Sequence, residues 1–142
     1  MAESLKIVEI LKEKEVVRLT KLRDYFIERL LQIGIENEIK IRLNGDKGER
    51  LPNNINISIA KIPSDLILIE LSTRGIYVSE KSACKSGDKK ASHVIKAINN
   101  PKICKKESSL RFSFGRQTVK KDIDFTLKQF SIILQKLKKW YN

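Results

Sequence analysis

A two-layer α/β sandwich, with a mostly antiparallel or mixed sheet carrying helices over one face, is predicted by three observations on this 142-residue sequence. First, residues Asn54 to Ala60 alternate strictly, with Ile55, Ile57 and Ile59 against Asn54, Asn56 and Ser58, as does Leu110-Arg111-Phe112-Ser113-Phe114. Alternation of this kind marks half-buried strands. Second, Leu19, Leu22, Phe26, Leu30 and Ile33 recur every three or four residues near the start. Third, Ile123, Leu127, Phe130, Leu134, Leu137 and Tyr141 do the same at the end. Both sets place an apolar stripe on one side of a helix.

In order, residues 3–33 read as one long helix, with Lys21, Arg23, Asp24 and Glu28 on its charged side and Gly34 as its stop. Ile39 and Ile41 then alternate with Lys40 and Arg42, a short strand ending at the Asn44-Gly45 turn signal. After the strand at 54–60, Pro63-Ser64 opens a helix to about Ser72, with Ser64 as its N-cap and Gly75 as its end. Ile76-Tyr77-Val78 is a short strand leading into the polar stretch 79–93. From Ser92 two helical turns follow, then a polar connection with Pro101 and Cys104. The strand at 110–114 closes at Gly115, and Thr118 caps the last helix. No repeat, low-complexity segment or internal boundary interrupts this order, so residues 1–142 are expected to form a single domain.

The hydrophobic content of 41% and charged content of 32% are those of a soluble globular chain. No apolar run is long enough to span a bilayer, and Met-Ala-Glu-Ser lacks the layout of a secretory signal. A cytoplasmic setting with no membrane partner is the expectation. Two cysteines, Cys84 and Cys104, are too few for a disulfide framework. The net charge of +12 admits an acidic partner such as nucleic acid. It is carried mostly by dispersed lysines, and aromatics are only 6%, which leaves little for base stacking. Nucleic acid is therefore not the favoured partner.

Few residues carry recognisable chemistry. Neither a P-loop nor a G-x-G-x-x-G pattern is present. His93 is the one histidine, which excludes a histidine-based metal cluster; beside a helix start it reads more readily as a packing or capping residue than as a base. Cys84 lies among small polar residues, a loop composition, although free cysteine ordinarily packs as a small hydrophobe. Lys81 and Lys85 would favour its thiolate. It is a candidate nucleophile or sulfur carrier, with an inert loop thiol as the alternative; Cys104 is the lesser candidate. Arg111, mid-strand and opposite the apolar face, is placed either to clamp a carboxylate in a bidentate way or to serve as a structural charge.

Taken together, several segments resemble the pyridoxal-phosphate-dependent cysteine desulfurases of the NifS/IscS type, in the class V aminotransferase family. Residues 74–93, Arg-Gly-Ile-Tyr-Val-Ser-Glu-Lys-Ser-Ala-Cys-Lys-Ser-Gly-Asp-Lys-Lys-Ala-Ser-His, continuing into Val94-Ile95-Lys96-Ala97-Ile98, are similar to that family's cysteine loop. Ser109-Leu110-Arg111-Phe112-Ser113-Phe114-Gly115-Arg116, with Thr118 and Asp122-Ile123-Asp124, resembles its S-I-R-F-S-x-G-R segment. Asn44-Gly45 with Arg50-Leu51-Pro52-Asn53-Asn54-Ile55-Asn56 resembles its N-G…R-L-P-N-x-x-N segment, and Leu19-Thr20-Lys21-Leu22-Arg23-Asp24 fits its first helix. These segments stand in the family's order and cover essentially the whole chain.

The resemblance implies the small C-terminal domain of a fold-type I enzyme. Cys84 would attack the sulfur of a cysteine–pyridoxal adduct, keep the sulfur as a persulfide and leave alanine. The loop would then carry it to a sulfur acceptor or iron–sulfur scaffold, and Arg111 would hold the substrate carboxylate. The longer loop is that of the NifS/IscS group rather than the SufS group. The same resemblance places the coenzyme-binding residues in a large N-terminal domain and makes the complete enzyme a homodimer. The chain is thus expected to begin within the helix that joins the two domains, with no pyridoxal phosphate bound and no turnover by itself. A stand-alone interaction module that binds a sulfur-transfer partner without catalysis is the alternative. Two departures stand out. Lys81 occupies a position where the family usually has glycine. Val-Lys-Lys after Thr118 replaces a common acidic residue, which is expected to cost the last helix its capping box.

Overall fold

The computed structural model describes residues 2–80 and 107–141. In chain order these form α1 (Ala2–Glu36), β1 (Ile41–Leu43), β2 (Asn54–Ala60), α2 (Ser64–Ser72), β3 (Glu107–Ser113) and α3 (Lys120–Tyr141). The strands make one antiparallel sheet in the order β1-β2-β3. The α/β class and the antiparallel sheet agree with the sequence reading. The cysteine loop, the helix from Ser92 and the connection containing Cys104 lie outside the described residues.

The alternation in β2 and β3 does what its period requires. Ile55, Ile57, Ile59, Leu110 and Phe112 are buried on one face, beneath Phe26, Ile27 and Leu30 of α1, Ile67 and Leu71 of α2, and Phe130, Ile133 and Leu134 of α3. Phe26 meets the rings of Phe112 and Phe114 edge-on at 5.0 and 5.4 Å, and Phe112 meets Phe130 at 6.2 Å. Edge-to-face contacts at such distances add to the burial of large rings. Only the second half of α1, from Leu19 onward, enters this core, while Ile7, Val8, Ile10, Val16 and Val17 are exposed.

Four local expectations are corrected. Gly34 does not stop α1, which continues to Glu36. The helix ends in a Schellman motif in which Ile39 N–H donates to Gly34 O at 2.9 Å and Glu38 N–H to Ile35 O at 3.0 Å. Glu38, not a glycine, takes the left-handed conformation, with φ 55°. Gly34 is needed because the chain folds back onto it: a Cβ there would lie 2.9 Å from Ile39 O.

Ser64 is the first helical residue of α2 rather than its cap; Pro63 holds the cap position with extended backbone, and the buried Ser64 hydroxyl has no partner among the described residues. Likewise Thr118 does not cap α3, because its hydroxyl accepts the Gly115 N–H at 3.0 Å. Asp122 Oδ2 accepts the Val119 N–H at 3.0 Å, so the acidic half of a capping box survives one residue later than expected.

Finally, Ile76–Val78 is not a strand. Among the described residues this segment pairs only through an antiparallel bridge between Ser79 and Arg111.

Candidate functional site

Arg111 is at the middle of β3, on the face turned away from the helices. The register sets its neighbours. Asn56 lies directly opposite on β2. Asn44, just past β1, continues the same row, with its N–H donating to Asn56 O at 2.9 Å. On the other flank Ser79 exchanges two backbone hydrogen bonds with Arg111. Asn44, Asn56, Arg111 and Ser79 therefore cross the sheet as one row on one face, and Ser109 and Ser113 flank Arg111 along its own strand.

The row has defined polarity. Asn44 Nδ2 donates to Asn56 Oδ1 at 2.7 Å and to Ser58 Oγ at 2.9 Å, and Ser58 Oγ donates to Asn44 Oδ1 at 3.1 Å. Asn44 and Ser58 are buried, so this face is closed over there, where the sequence suggested a solvent-facing set of Asn54, Asn56 and Ser58. Buried amides and hydroxyls need such partners. By contrast, the half-buried Arg111 guanidinium makes no hydrogen bond or salt bridge with any described residue. An arginine free of a carboxylate partner presents its planar fork of donors to whatever anion approaches.

The connection from Asn44 to Asn53 is held from two sides. Arg50 donates to Asn44 O at 2.7 Å and to Asp46 O at 2.6 Å. Asp46 Oδ1 accepts the N–H groups of Gly48 and Glu49, both at 2.7 Å, and these two donors hold its carboxyl below the ordinary aspartate range. Arg23 reaches across from α1 to Arg50 O at 3.2 Å and Leu51 O at 3.3 Å. The sequence placed Arg23 on a solvated helix side; it is buried. Two segments singled out by resemblance, around Leu19–Asp24 and Arg50–Asn56, are thus joined by hydrogen bonds.

Among the sequence-predicted site residues, Arg111 is described, and Cys84 lies outside the described residues, as do Lys81, Lys85, His93 and Cys104. Asn56 and Asn44 were missed as neighbours of Arg111. The signal available was their place in the asparagine-rich segment, but only the strand register joins them to Arg111. Among the described residues no group of three or more metal-ligating side chains occurs. No described helix is long and apolar enough to cross a membrane.

This small α/β fold is that of NifS-like proteins. One solved NifS-like protein superposes on 96% of the chain with a TM-score of 0.75 at 21% identity, the match covering 32% of that structure. A second, from Rickettsia africae, covers 83% of this chain and 28% of its own with a TM-score of 0.63, also at 21% identity. In sequence the chain is homologous to the C-terminal part of cysteine desulfurases. It is 40% identical over 139 residues to the cysteine desulfurase IscS of Dictyoglomus turgidum, which covers 97% of this chain and 34% of that protein. The IscS of Methanosarcina thermophila is 40% identical over 120 residues, 84% of this chain and 28% of its own length. That of Vibrio vulnificus is 34% identical over 139 residues, 97% and 32% respectively. The chain spans about a third of the length of these relatives. No protein-family model matches it.

Proposed function

We propose that the chain is the C-terminal domain, residues 1–142, of a cysteine desulfurase. In that enzyme Cys84 takes sulfur from L-cysteine as a persulfide, and Arg111 anchors the substrate carboxylate. The observation that carries the reading is similarity to cysteine desulfurases along 97% of the chain, joined to an Arg111 guanidinium that no described carboxylate neutralises. The complete protein is a pyridoxal-phosphate-dependent enzyme and a homodimer. It passes sulfur to an iron–sulfur scaffold or another acceptor, in the cytoplasm.

The described residues do not fit a pyridoxal phosphate site: they contain no histidine and no glycine-rich phosphate loop, and the Arg111 guanidinium suits a carboxylate. In this reading the residues that hold the coenzyme lie outside the described ones.

At Cys84 the chemistry is a transfer between sulfurs. The thiolate forms an S–S bond to the substrate sulfur, and the Cβ–S bond of cysteine breaks. The carbon fragment keeps that electron pair, gains a proton and leaves as alanine. No external oxidant is consumed. Lys81 and Lys85 favour the thiolate that the attack requires.

The test is Cys84→Ser in the complete desulfurase that contains this chain. Alanine release from cysteine should be lost while cysteine still binds; retained turnover would overturn the role of Cys84.

A further inference from the structure

The geometry points to Asn56 as a second donor to the substrate α-carboxylate, beside Arg111; this rests on the proposed role of Arg111 and extends it.

The argument begins with strand pairing. Both main-chain groups of Arg111 are spent on Ser79, at 2.7 and 3.1 Å, and the carbonyl of Asn56 is spent on Asn44. Asn56 and Arg111 are therefore a non-hydrogen-bonded pair, the kind whose Cα atoms approach to about 4.5 Å and whose side chains are closest. Their side chains stand next to each other on one face.

The amide of Asn56 is oriented. Its Oδ1 accepts from Asn44 Nδ2 at 2.7 Å, and Asn44 is itself held by Ser58. The Nδ2 donor is consequently turned away from Asn44, and no described acceptor meets it. Two donor groups without an acceptor among the described residues, a guanidinium and a primary amide, thus stand side by side. Of the residues beside them on this face, Asn54, Ser58, Ser109 and Ser113 carry no charge, and Arg42, opposite Ser58, is a cation rather than a competing anion. Adjacent donors without an acceptor are stable together only when water or an anion bridges them. A carboxylate has two oxygens and about four lone-pair sites, enough to take the arginine fork and one amide N–H at once. A thiol or an amine has no such set. The pair therefore recognises the carboxylate end of an amino acid.

The experiment uses the complete desulfurase that contains this chain, with L-alanine and cysteamine as competitive inhibitors. L-alanine has the α-carboxylate and cysteamine lacks it. Asn56→Ala is expected to weaken inhibition by L-alanine about ten-fold, the scale of one hydrogen bond to a charged group, and to leave cysteamine unchanged. The KM for cysteine should rise in parallel while kcat holds within about two-fold. Asn56→Asp keeps an oxygen acceptor for Asn44, so the row stays intact, but it sets a carboxylate against Arg111; it should weaken L-alanine by more than about ten-fold and decides the matter if the alanine variant does not fold. Equal loss for L-alanine and cysteamine would show a merely structural role and overturn the inference. Arg111→Ala separates the two claims. If it weakens L-alanine but the Asn56 variants do not, Asn56 alone is refuted. If it leaves L-alanine unchanged, the reading of Arg111 falls and the Asn56 inference with it.

Discussion

Ser79 and Arg111 exchange both of their main-chain hydrogen bonds, Arg111 N–H to Ser79 O at 2.7 Å and Ser79 N–H to Arg111 O at 3.1 Å. This single bridge has a larger consequence than its size suggests. It fixes the last described pairing before the cysteine-bearing stretch against the residue proposed to hold the substrate, and Cys84 follows Ser79 by five positions. Five residues of extended chain reach at most about 17 Å. The proposed sulfur acceptor is thus tethered within a short radius of the proposed carboxylate anchor.

The loop from Asn44 to Asn53 depends on Arg23. Its guanidinium is buried and bonds the carbonyls of Arg50 and Leu51, and it pairs with Asp24 at 2.8 Å. Arg23→Ala leaves two carbonyls without their donor and opens a cavity beside the helix. Unfolding by urea should show a loss of about 2–3 kcal/mol. Arg23→Lys should recover only part of it, since one ammonium cannot reproduce the planar fork. A change below about 0.5 kcal/mol in the alanine variant would show that these bonds are incidental.

Much of the fold was legible because its signals are local and periodic. The alternation in β2 and β3 and the stripes of α1 and α3 bury most of the residues their spacing selects, with Leu22 half-buried and Tyr141 exposed at the end of α3. What was not legible depends on contacts between distant segments. Arg23 looks like any charged helix residue until the carbonyls of Arg50 and Leu51 arrive 27 and 28 positions later. The polar side of β2 looks solvent-facing until Asn44 closes over Ser58. At the candidate site, Arg111 could be picked from its place opposite an apolar strand face, whereas Asn56 becomes its neighbour only through the register of two strands more than fifty residues apart. The end of α1 shows a subtler case: glycine was read correctly as special, but for the wrong reason.

Gly34→Ala tests that reason. Inside a helix, alanine is favoured over glycine by about 1 kcal/mol, and were Gly34 an ordinary helical residue the substitution would stabilise. Here the added methyl would sit 2.9 Å from Ile39 O and 3.0 Å from the Ile41 side chain. The first of these is backbone, held by the Ile39 N–H bond to Gly34 O, and it cannot swing aside. The expected outcome is a net loss of about 1–2 kcal/mol in denaturant unfolding of the 142-residue chain. A gain in stability would mean that the turn at 37–39 relaxes freely.

Acid sensitivity follows from the carboxylates that join helices. Glu70 on α2 bonds Lys136 of α3 at 2.7 Å and Arg74 at 2.8 Å, and these partners hold its pKa below the ordinary glutamate value, Lys136 first. Glu38, after α1, is lowered in the same way by Lys138 of α3, and Asp124 on α3 by Lys120 and Tyr25. A carboxylate with a depressed folded-state pKa stabilises fully above its unfolded pKa, and the contribution fades as pH falls through the folded one. Stability should therefore be level near neutrality and decline below about pH 4.5, with Glu70→Gln showing a shallower decline than the parent. Each protonation also adds to a net charge already at +12, which sharpens the loss through self-repulsion. Because these pairs are largely solvent-exposed, about 1 M salt should weaken them and flatten the difference between Glu70→Gln and the parent. Thermal unfolding of both chains across pH, at low and high salt, measures this, and parallel acid profiles at low salt would remove Glu70 from the account.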